Sequence, residues 1–336
     1  MDQLHWAIVG PGNIASDFIG DLALVKGGPN TVVGVMSNRI EEAEAFARQH
    51  DIPGRFDDLE DMLQSTRPDV VYIAAPHSVH FPAAMTCIQQ GCAVLCEKPL
   101  GINSEEVIRL IQAAQEKEVF LLEGMWIRFL PSLFRLRALV KSNAIGPIEH
   151  LIADMSYVAP NDRHNRFYDP RLGGGSLLDL GLYPVYLSLL VFGKPTAIVA
   201  TARLTDQKVD EDCSLLFQYS KKRFAILESS IVRETSRTAT LYGRKAKLTL
   251  LKPWNEKPGA LVLSPYEGAC RQIPCFWPGR GFQYEIEEVI RCLNAGRIES
   301  SLHSHAVSLA LASLLDRIRK KTGIQYPADN KKRLLG

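Results

Sequence analysis

From Trp6 to about Phe120, short apolar runs alternate with amphipathic segments, and this alternation restricts the fold more than any other feature of the chain. The apolar runs are continuous and largely aliphatic, as in strands that are buried on both faces. Strands that alternate with helices build a parallel sheet with helices on both faces. We predict strands at residues 6–9, 31–36, 70–74 and 93–96, and helices at residues 41–50, 59–64, 79–90 and 104–117.

A different pattern follows after about Leu122. Between Ile148 and Ser264, apolar and polar residues alternate, which predicts strands with one covered face and therefore an open, mostly antiparallel sheet. Two amphipathic helices follow, at residues 284–294 and 305–320. We expect a doubly wound α/β (Rossmann) nucleotide-binding domain at residues 1–122. The remaining residues, 123–336, would form a substrate-binding and oligomerisation domain, with the last helix packed back on the first domain.

Charge and composition argue against several classes of protein. With 39 basic and 37 acidic residues, the net charge of +2 provides no electrostatic surface for nucleic acid or for a membrane. The apolar stretch from Leu177 to Phe192 contains Asp179, Gly181 and Pro184 and is shorter than the ~20 residues of a membrane span, so we expect a buried helix. The seven cysteines lack paired C-x-x-C spacing, which indicates neither disulfides nor zinc. Since no signal-peptide pattern precedes the first strand, we expect a cytoplasmic protein.

A glycine-rich turn follows the first predicted strand. Gly10-Pro11-Gly12-Asn13-Ile14-Ala15 reads G-x-G-x-x-A and lies directly before a helical pattern. In that context the glycines allow a tight turn and the close approach of a pyrophosphate to a helix N-terminus. We therefore assign Gly10, Gly12, Asn13 and Ile14 to a dinucleotide site.

The second strand ends in Ser37-Asn38-Arg39. A cofactor without a 2′-phosphate is usually held here by an Asp or Glu that binds the ribose hydroxyls, and none of these three residues is acidic. A hydroxyl, an amide and a guanidinium can instead surround a phosphate. We predict NADP as the preferred cofactor, with NAD as the alternative. In a competing interpretation Arg39 is a solvated residue at a helix start, with Glu41 and Glu42 occupying the first turn.

The loop after the next strand carries Ala75-Pro76-His77 and, one turn later, His80. It lies at the carboxyl edge of the predicted sheet, where doubly wound folds bind ligands, and we expect it near the nicotinamide ribose. The two histidines suggest a metal pair, but no Asp, Glu or Cys accompanies them locally. We therefore favour cofactor contact or a helix start and expect no metal.

Two further segments carry polar groups suited to catalysis. Lys98 precedes Pro99 at the end of an apolar strand, and the pre-proline position favours an extended backbone that aims the ammonium. In the segment that begins with Gly173-Gly174-Gly175, Asp179 and Tyr183 are four residues apart and share a helical face. Alternatively, Asp179 is a helix-start charge and Tyr183 a packed aromatic residue. With Lys98 available upstream, we favour the functional interpretation.

These motifs resemble those of the glucose-fructose oxidoreductase and inositol dehydrogenase (Gfo/Idh/MocA) family. The similarity includes the G-x-G-x-x-A turn, an E-K-P motif at Glu97-Lys98-Pro99 and a G-G-G…D-x-G-x-[HY] segment that ends at Tyr183. The tyrosine at that position and the segment at residues 123–131 resemble the branch of dimeric dihydrodiol dehydrogenases and NADP-dependent D-xylose dehydrogenases. That branch often has Ser-Arg after the second strand, whereas here Asn38 separates Ser37 from Arg39.

The resemblance implies hydride exchange between the nicotinamide and a carbinol carbon of a sugar, polyol or trans-dihydrodiol. Tyr183 is then the proton acceptor, and since the reference pKa of tyrosine is about 10, it needs a nearby cation, for which Lys98 is the candidate. The ammonium would also stabilise the developing alkoxide. Asp179 would orient Lys98 or a substrate hydroxyl.

The remaining assignments concern substrate, cofactor and assembly. Glu97 and Lys98 join the cofactor contacts, Trp126 and Arg128 line the pocket mouth, and the loop at His164, Asn165 and Arg166 would read substrate hydroxyls. Because one face of the open sheet has no cover within the chain, we expect a homodimer or higher homo-oligomer. Two alternatives stay open: an NAD-linked inositol- or imine-type reductase, and a cofactor-binding sensor without turnover.

Overall fold

The computed structural model describes residues 4–26, 28–160, 162 and 165–330. The chain forms two compact units, each built from two segments. The first unit comprises Met1–Phe129 and Pro278–Leu309, and the second comprises Leu130–Trp277 and Ala310–Gly336. The division therefore differs from the single boundary predicted after residue 122, because a later segment returns to complete the first unit.

The first unit contains a six-stranded sheet in which every neighbouring pair is parallel. The strand order β3-β2-β1-β4-β5-β6 reverses direction at β1, as in doubly wound folds. This confirms the predicted Rossmann class. The strands are β1 (Leu4–Val9), β2 (Asn30–Met36), β3 (Gly54–Phe56), β4 (Val70–Ile73), β5 (Ala93–Glu97) and β6 (Leu121–Gly124).

Helices connect these strands and bury their apolar faces against the sheet. They are α1 (Asn13–Leu22), α2 (Ile40–Gln49), α3 (Leu59–Thr66), α4 (His77–Gln89) and α5 (Ser104–Glu116). Phe18 on α1 stacks on Tyr72 of β4 with ring centroids 3.9 Å apart. These two rings lie in a core that also contains Trp6 and Leu95, so it joins residues from several strands.

The segment that returns to the first unit carries α8 (Phe282–Asn294). Phe282 and Ile286 of this helix are buried in the same core as Phe18. The carboxylate of Asp21 accepts hydrogen bonds from the backbone N–H groups of Gly281 and Phe282 at 2.7 and 2.9 Å, and so caps the helix start. The last helix, α9 (His305–Thr322), belongs to the first unit up to Leu309 and to the second unit from Ala310 onward, and its predicted packing on the first domain stays a prediction.

The second unit contains an eight-stranded sheet with the order β14-β13-β12-β11-β7-β10-β9-β8. All neighbouring pairs are antiparallel except β7 and β10, which are parallel, so the predicted mostly antiparallel sheet is confirmed. The strands are β7 (Ile148–Ser156), β8 (Ala197–Leu204), β9 (Asp210–Ser220), β10 (Arg223–Ser230), β11 (Ala239–Gly243), β12 (Ala246–Leu250), β13 (Ala260–Pro265) and β14 (Arg271–Pro274).

One face of this sheet packs on the apolar helical stretch predicted to be buried. A π-helical turn at Leu177–Gly181 leads into α7 (Leu182–Phe192), and both contact β7 and β10. The stretch Pro170–Phe192 is apolar and long enough to cross a membrane, but 78 % of its most apolar window is buried inside the protein. It is a core element of the second unit. The helix α6 (Pro131–Lys141) precedes the first strand of the sheet.

Candidate active site

The glycine-rich turn has the geometry of a pyrophosphate cradle. Gly10 has φ of +95°, and a Cβ there would lie 2.8 Å from the backbone of Ala75, so only glycine fits. Gly12 is the N-cap of α1, and a Cβ at Gly12 would meet no atom within 4 Å. Ala15 is fully buried beneath the turn, whereas Asn13 and Ile14 are exposed in the first turn of the helix. The N-terminus of α1 is thus open to an anion.

The end of β2 places a carboxylate among the predicted phosphate-binding residues. The Ser37 hydroxyl donates to Oε2 of Glu42 at 2.9 Å, and the Arg39 guanidinium pairs with the other carboxylate oxygen of Glu42. Arg39 is the N-cap of α2, and Glu42 lies in its first turn, as in the competing interpretation from sequence. Asn38 is exposed beside them.

The loop between β4 and α4 is linked to the segment after Lys98 by His80. Its Nδ1 lies 2.7 Å from the carbonyl oxygen of Pro99, and its Nε2 lies 2.8 Å from the carbonyl oxygen of Ala75. Burial, assisted by His77 and the charge of Lys98, lowers the pKa of His80 to about 4, so the ring is neutral at pH 7. Pro76 is the N-cap of α4, and His77 is buried one residue later.

Lys98 is half-buried immediately after β5, and its peptide bond to Pro99 is cis. The preceding carboxylate, Glu97, accepts a hydrogen bond from the Tyr72 hydroxyl at 2.8 Å and one from the Lys98 backbone N–H at 3.2 Å. Burial raises the pKa of Tyr72 well above its usual value, and the charge of Glu97 raises it further. The Tyr72 hydroxyl therefore stays protonated and donates to Glu97.

A second buried carboxylate holds the segment on the other side of Lys98. Glu123 on β6 accepts from the Leu100 backbone N–H at 3.0 Å and lies 3.0 Å from Nε2 of His303. Burial alone would raise the pKa of Glu123, but hydrogen bonds from His303, Ser308 and Leu100 outweigh it and lower the pKa. The E-K-P segment is therefore fixed by His80 and Glu123, both in the first unit.

In the second unit, Asp210 organises the start of the helical stretch that carries Asp179 and Tyr183. Its Oδ2 accepts from the Ser176 hydroxyl at 2.6 Å and from the Leu177 backbone N–H at 2.7 Å. Burial raises the pKa of Asp210 to about 7, although these hydrogen bonds oppose the shift. Gly175, with φ of +108°, leaves no room for a Cβ beside this carboxylate.

Asp179 lies in the π-helical turn, and Tyr183 lies in the first turn of α7; both are buried. We predicted a single α-helix across both residues. Pro184 lacks the backbone N–H that an α-helix would use for the carbonyl of Leu180, and a π-turn reroutes that hydrogen bonding. Nη2 of Arg166 lies 3.5 Å from Oδ2 of Asp179, so the structure brings these two predicted site residues together.

The other predicted substrate-binding residues have structural partners. Trp126 packs on Phe282 with ring centroids 5.0 Å apart, and Nε of the buried Arg128 donates to the carbonyl oxygen of Leu302 at 2.7 Å. Asn165 caps a 3-10 turn through Phe167, and His164 lies outside the described residues. Their roles in substrate binding stay predictions.

Sequence reasoning did not identify Glu42, Glu123, Asp210 or His303 as part of the site. Glu123 interrupts an apolar strand, and Asp210 begins a strand that is otherwise half-buried, so an acid at a core position was the available signal. Among the described residues, no group of three or more His, Cys, Asp or Glu side chains is arranged to hold a metal ion. The pairing of Lys98 with Tyr183 joins residues of different units and stays a prediction.

Comparison with known families matches both parts of the chain. Residues 4–125 match a family described as an oxidoreductase family with an NAD-binding Rossmann fold, and residues 134–249 match a GFO/IDH/MocA C-terminal domain. Over 334 residues the chain is 34 % identical to the trans-1,2-dihydrobenzene-1,2-diol dehydrogenase of Xenopus tropicalis, covering 96 % of this chain and 99 % of that protein. The human protein of the same name is 33 % identical and covers 98 % of this chain and 99 % of its own length.

Two solved structures show the same fold. An aldose-aldose oxidoreductase from Caulobacter crescentus superposes with a TM-score of 0.86 at 21 % identity, covering 96 % of this chain and 98 % of that one. A 3-ketoreductase from Actinomadura kijaniata, in complex with NADP and TDP-benzene, superposes with a TM-score of 0.85 at 21 % identity, covering 95 % and 98 %.

Proposed function

Because this chain belongs to the Gfo/Idh/MocA family of oxidoreductases, we propose that it oxidises a carbinol carbon of a sugar, polyol or trans-dihydrodiol. It is an NAD(P)-dependent dehydrogenase that acts on CH–OH groups. The substrate class is proposed because the sequence is about one third identical to dihydrodiol dehydrogenases over nearly the whole chain. The sugar oxidoreductases with the same fold support the wider range of carbinols.

The reaction consists of a hydride transfer and a proton transfer, and the site residues act on the second. A nicotinamide bound at the site would supply the hydride exchange with the carbinol carbon. The phenolate of Tyr183 takes the hydroxyl proton as the C–H bond breaks, and the Lys98 ammonium stabilises both the phenolate and the developing alkoxide. Asp179, paired with Arg166, orients the polar groups around the substrate. In the reverse direction Tyr183 returns the proton to the carbonyl oxygen.

We propose NADP as the preferred cofactor and NAD as the alternative. The open N-terminus of α1 at Gly12 suits the pyrophosphate, and Ser37 and Arg39 at the end of β2 supply donors for a 2′-phosphate. Ser37 and Arg39 both contact the Glu42 carboxylate, and this contact affects the preference between NADP and NAD.

The test is to follow nicotinamide reduction with NADP and NAD in parallel over aldoses, inositols and a trans-dihydrodiol. Turnover on one of these classes, with the matching ketone or lactone identified as product, would support the proposal. Tight cofactor binding without turnover on any of them would favour a sensor, and turnover confined to NAD with an inositol would favour the NAD-linked alternative.

We further propose that the protein is a homodimer or higher homo-oligomer in the cytoplasm. Four exposed apolar side chains, Val199, Leu216, Ile226 and Ile152, are in register across β8, β9, β10 and β7 on the uncovered face of the second sheet. A second copy of the same face would bury this row. All seven cysteines are free thiols, which suits a reducing compartment.

A further inference from the structure

We infer that Glu42 limits the preference for NADP over NAD by opposing the 2′-phosphate. This inference rests on the proposed cofactor site and goes beyond it, because it assigns the discrimination to a residue on α2 outside the turn that ends β2. The predicted phosphate-binding residues Ser37, Asn38 and Arg39 carry no negative charge. The structure places the carboxylate of Glu42 in contact with Ser37 and Arg39.

Both phosphate-binding candidates are engaged by the same carboxylate. The Ser37 hydroxyl, in a residue only 6 % exposed, donates to Glu42 Oε2 at 2.9 Å, and the Arg39 guanidinium pairs with Glu42 Oε1. The Arg39 backbone N–H in turn donates to the Ser37 hydroxyl at 3.3 Å. A 2′-phosphate that used the donors of Ser37 and Arg39 would have to displace Glu42 from both.

The two cofactors differ in what they offer to this carboxylate. A ribose 2′-hydroxyl donates a hydrogen bond that a carboxylate accepts, whereas a phosphate monoester carries a charge of about −1.5 to −2 and only accepts. Glu42 therefore favours the hydroxyl of NAD and repels the phosphate of NADP. Its position in the first turn of α2 supports the ionised form, since helix N-termini stabilise negative charge.

The site can be altered without disturbing the fold. The side chains of Arg39 and Glu42 are 70 % and 40 % exposed, and exposed ion pairs contribute little to stability. Glu42→Gln keeps the side-chain length and an oxygen that can accept from Ser37, but it removes the charge. Glu41→Gln is the matched control, because it removes the same charge from the same helical turn at a residue that does not contact Ser37 or Arg39 among the described contacts.

The experiment measures the dissociation constants of NADP and NAD by titration calorimetry for the full-length wild type and both variants. We expect Glu42→Gln to raise the affinity for NADP relative to NAD by at least about tenfold. Glu41→Gln should change this affinity ratio by less than about threefold. The difference between the two variants should shrink at high salt, because salt screens charges. Equal NADP-to-NAD affinity ratios in the two variants would overturn the role assigned to Glu42 and leave the proposed function untouched. If neither dinucleotide bound the wild type, the proposed function would fall with it.

Discussion

The imidazole of His80 lies 2.7 Å from the carbonyl oxygen of Pro99, the residue that follows the predicted catalytic lysine. Through its other nitrogen the ring also contacts the carbonyl oxygen of Ala75, whose backbone lies against Gly10 of the cofactor turn. Burial lowers the pKa of His80 to about 4, so the ring is neutral and donates to one of the two oxygens at neutral pH. His80 thus connects the loop that would bind the cofactor to the segment that carries Lys98.

His80 is therefore expected to act as a positioning residue. Replacing it by alanine should lower kcat by about 10- to 100-fold, because small displacements of reacting groups are costly, and leave the KM for substrate within a few fold. His80→Gln, which can still donate to a carbonyl, should recover part of kcat. Steady-state kinetics beside thermal unfolding check this. Equal kcat losses in both variants would contradict a role that depends on this hydrogen bond.

Lys98→Met and Tyr183→Phe test the catalytic pair. Each removes the group that takes the proton or stabilises the resulting charge, so turnover should fall by about 10²- to 10⁴-fold. Dinucleotide binding by Tyr183→Phe, measured by calorimetry, should match the wild type. Turnover close to the wild type in both variants would eliminate the assignment.

Asp210 should give the stability of the protein a pH dependence. Its folded pKa of about 7 exceeds the value of about 3.9 expected in the unfolded chain, so the native state holds a proton that unfolding releases. The contribution of the Asp210 carboxyl to the free energy of unfolding is fully present below about pH 4 and is lost as the pH rises to about 7. Relative to wild type, Asp210→Asn should gain up to about 1.4 kcal/mol of unfolding free energy per pH unit in that window. Urea unfolding at several pH values checks this, and a pH-independent difference would contradict it.

The cap of α8 should contribute substantially to stability. Asp21→Ala leaves the buried backbone N–H groups of Gly281 and Phe282 without their acceptor, and we expect a loss of about 1–3 kcal/mol. Asp17→Ala is the control, because the interaction of Asp17 among the described residues is an exposed ion pair with Arg280 at 3.5 Å, and its loss should cost less than about 1 kcal/mol. Denaturant unfolding of both variants distinguishes them. Similar losses would show that the cap is unimportant.

The apolar row on the second sheet should govern assembly. Ile226→Glu places a charge in the middle of the row and is expected to shift the protein toward monomer in light scattering at micromolar concentration. Ile108→Glu makes the same change at a similarly exposed apolar residue on α5 and should leave the mass unchanged. A monomeric wild type would refute the proposed oligomer.

Local patterns predicted most elements of the fold, because continuous apolar runs and alternation each report how a strand is buried. The strand β3 was missed because three residues are too few to show a period. The strand β6 was missed because it lies across the boundary predicted after residue 122. The parallel pairing of β7 with β10 joins strands far apart in sequence, and nothing in either strand specifies that partner.

The candidate site was predictable where a motif fixes backbone geometry, as at Gly10 and Gly12. It was less predictable where a side chain turns back on a motif, as Glu42 does toward Ser37. That contact depends on the direction of the first turn of α2. The buried partners of the E-K-P segment were not predicted for a similar reason, because His303 contacts Glu123 from a distant part of the chain.

The return of α8 to the first sheet has a consequence for biosynthesis. Phe282 and Ile286 are core residues of the first unit, and Asp21 binds the helix start, so this unit lacks part of its interior while only its first 129 residues have left the ribosome. Domains generally fold as units during translation, N-terminal first. Here the nucleotide-binding domain can complete its core only after Pro278–Leu309 has emerged, which is after the whole first segment of the second unit has been synthesised.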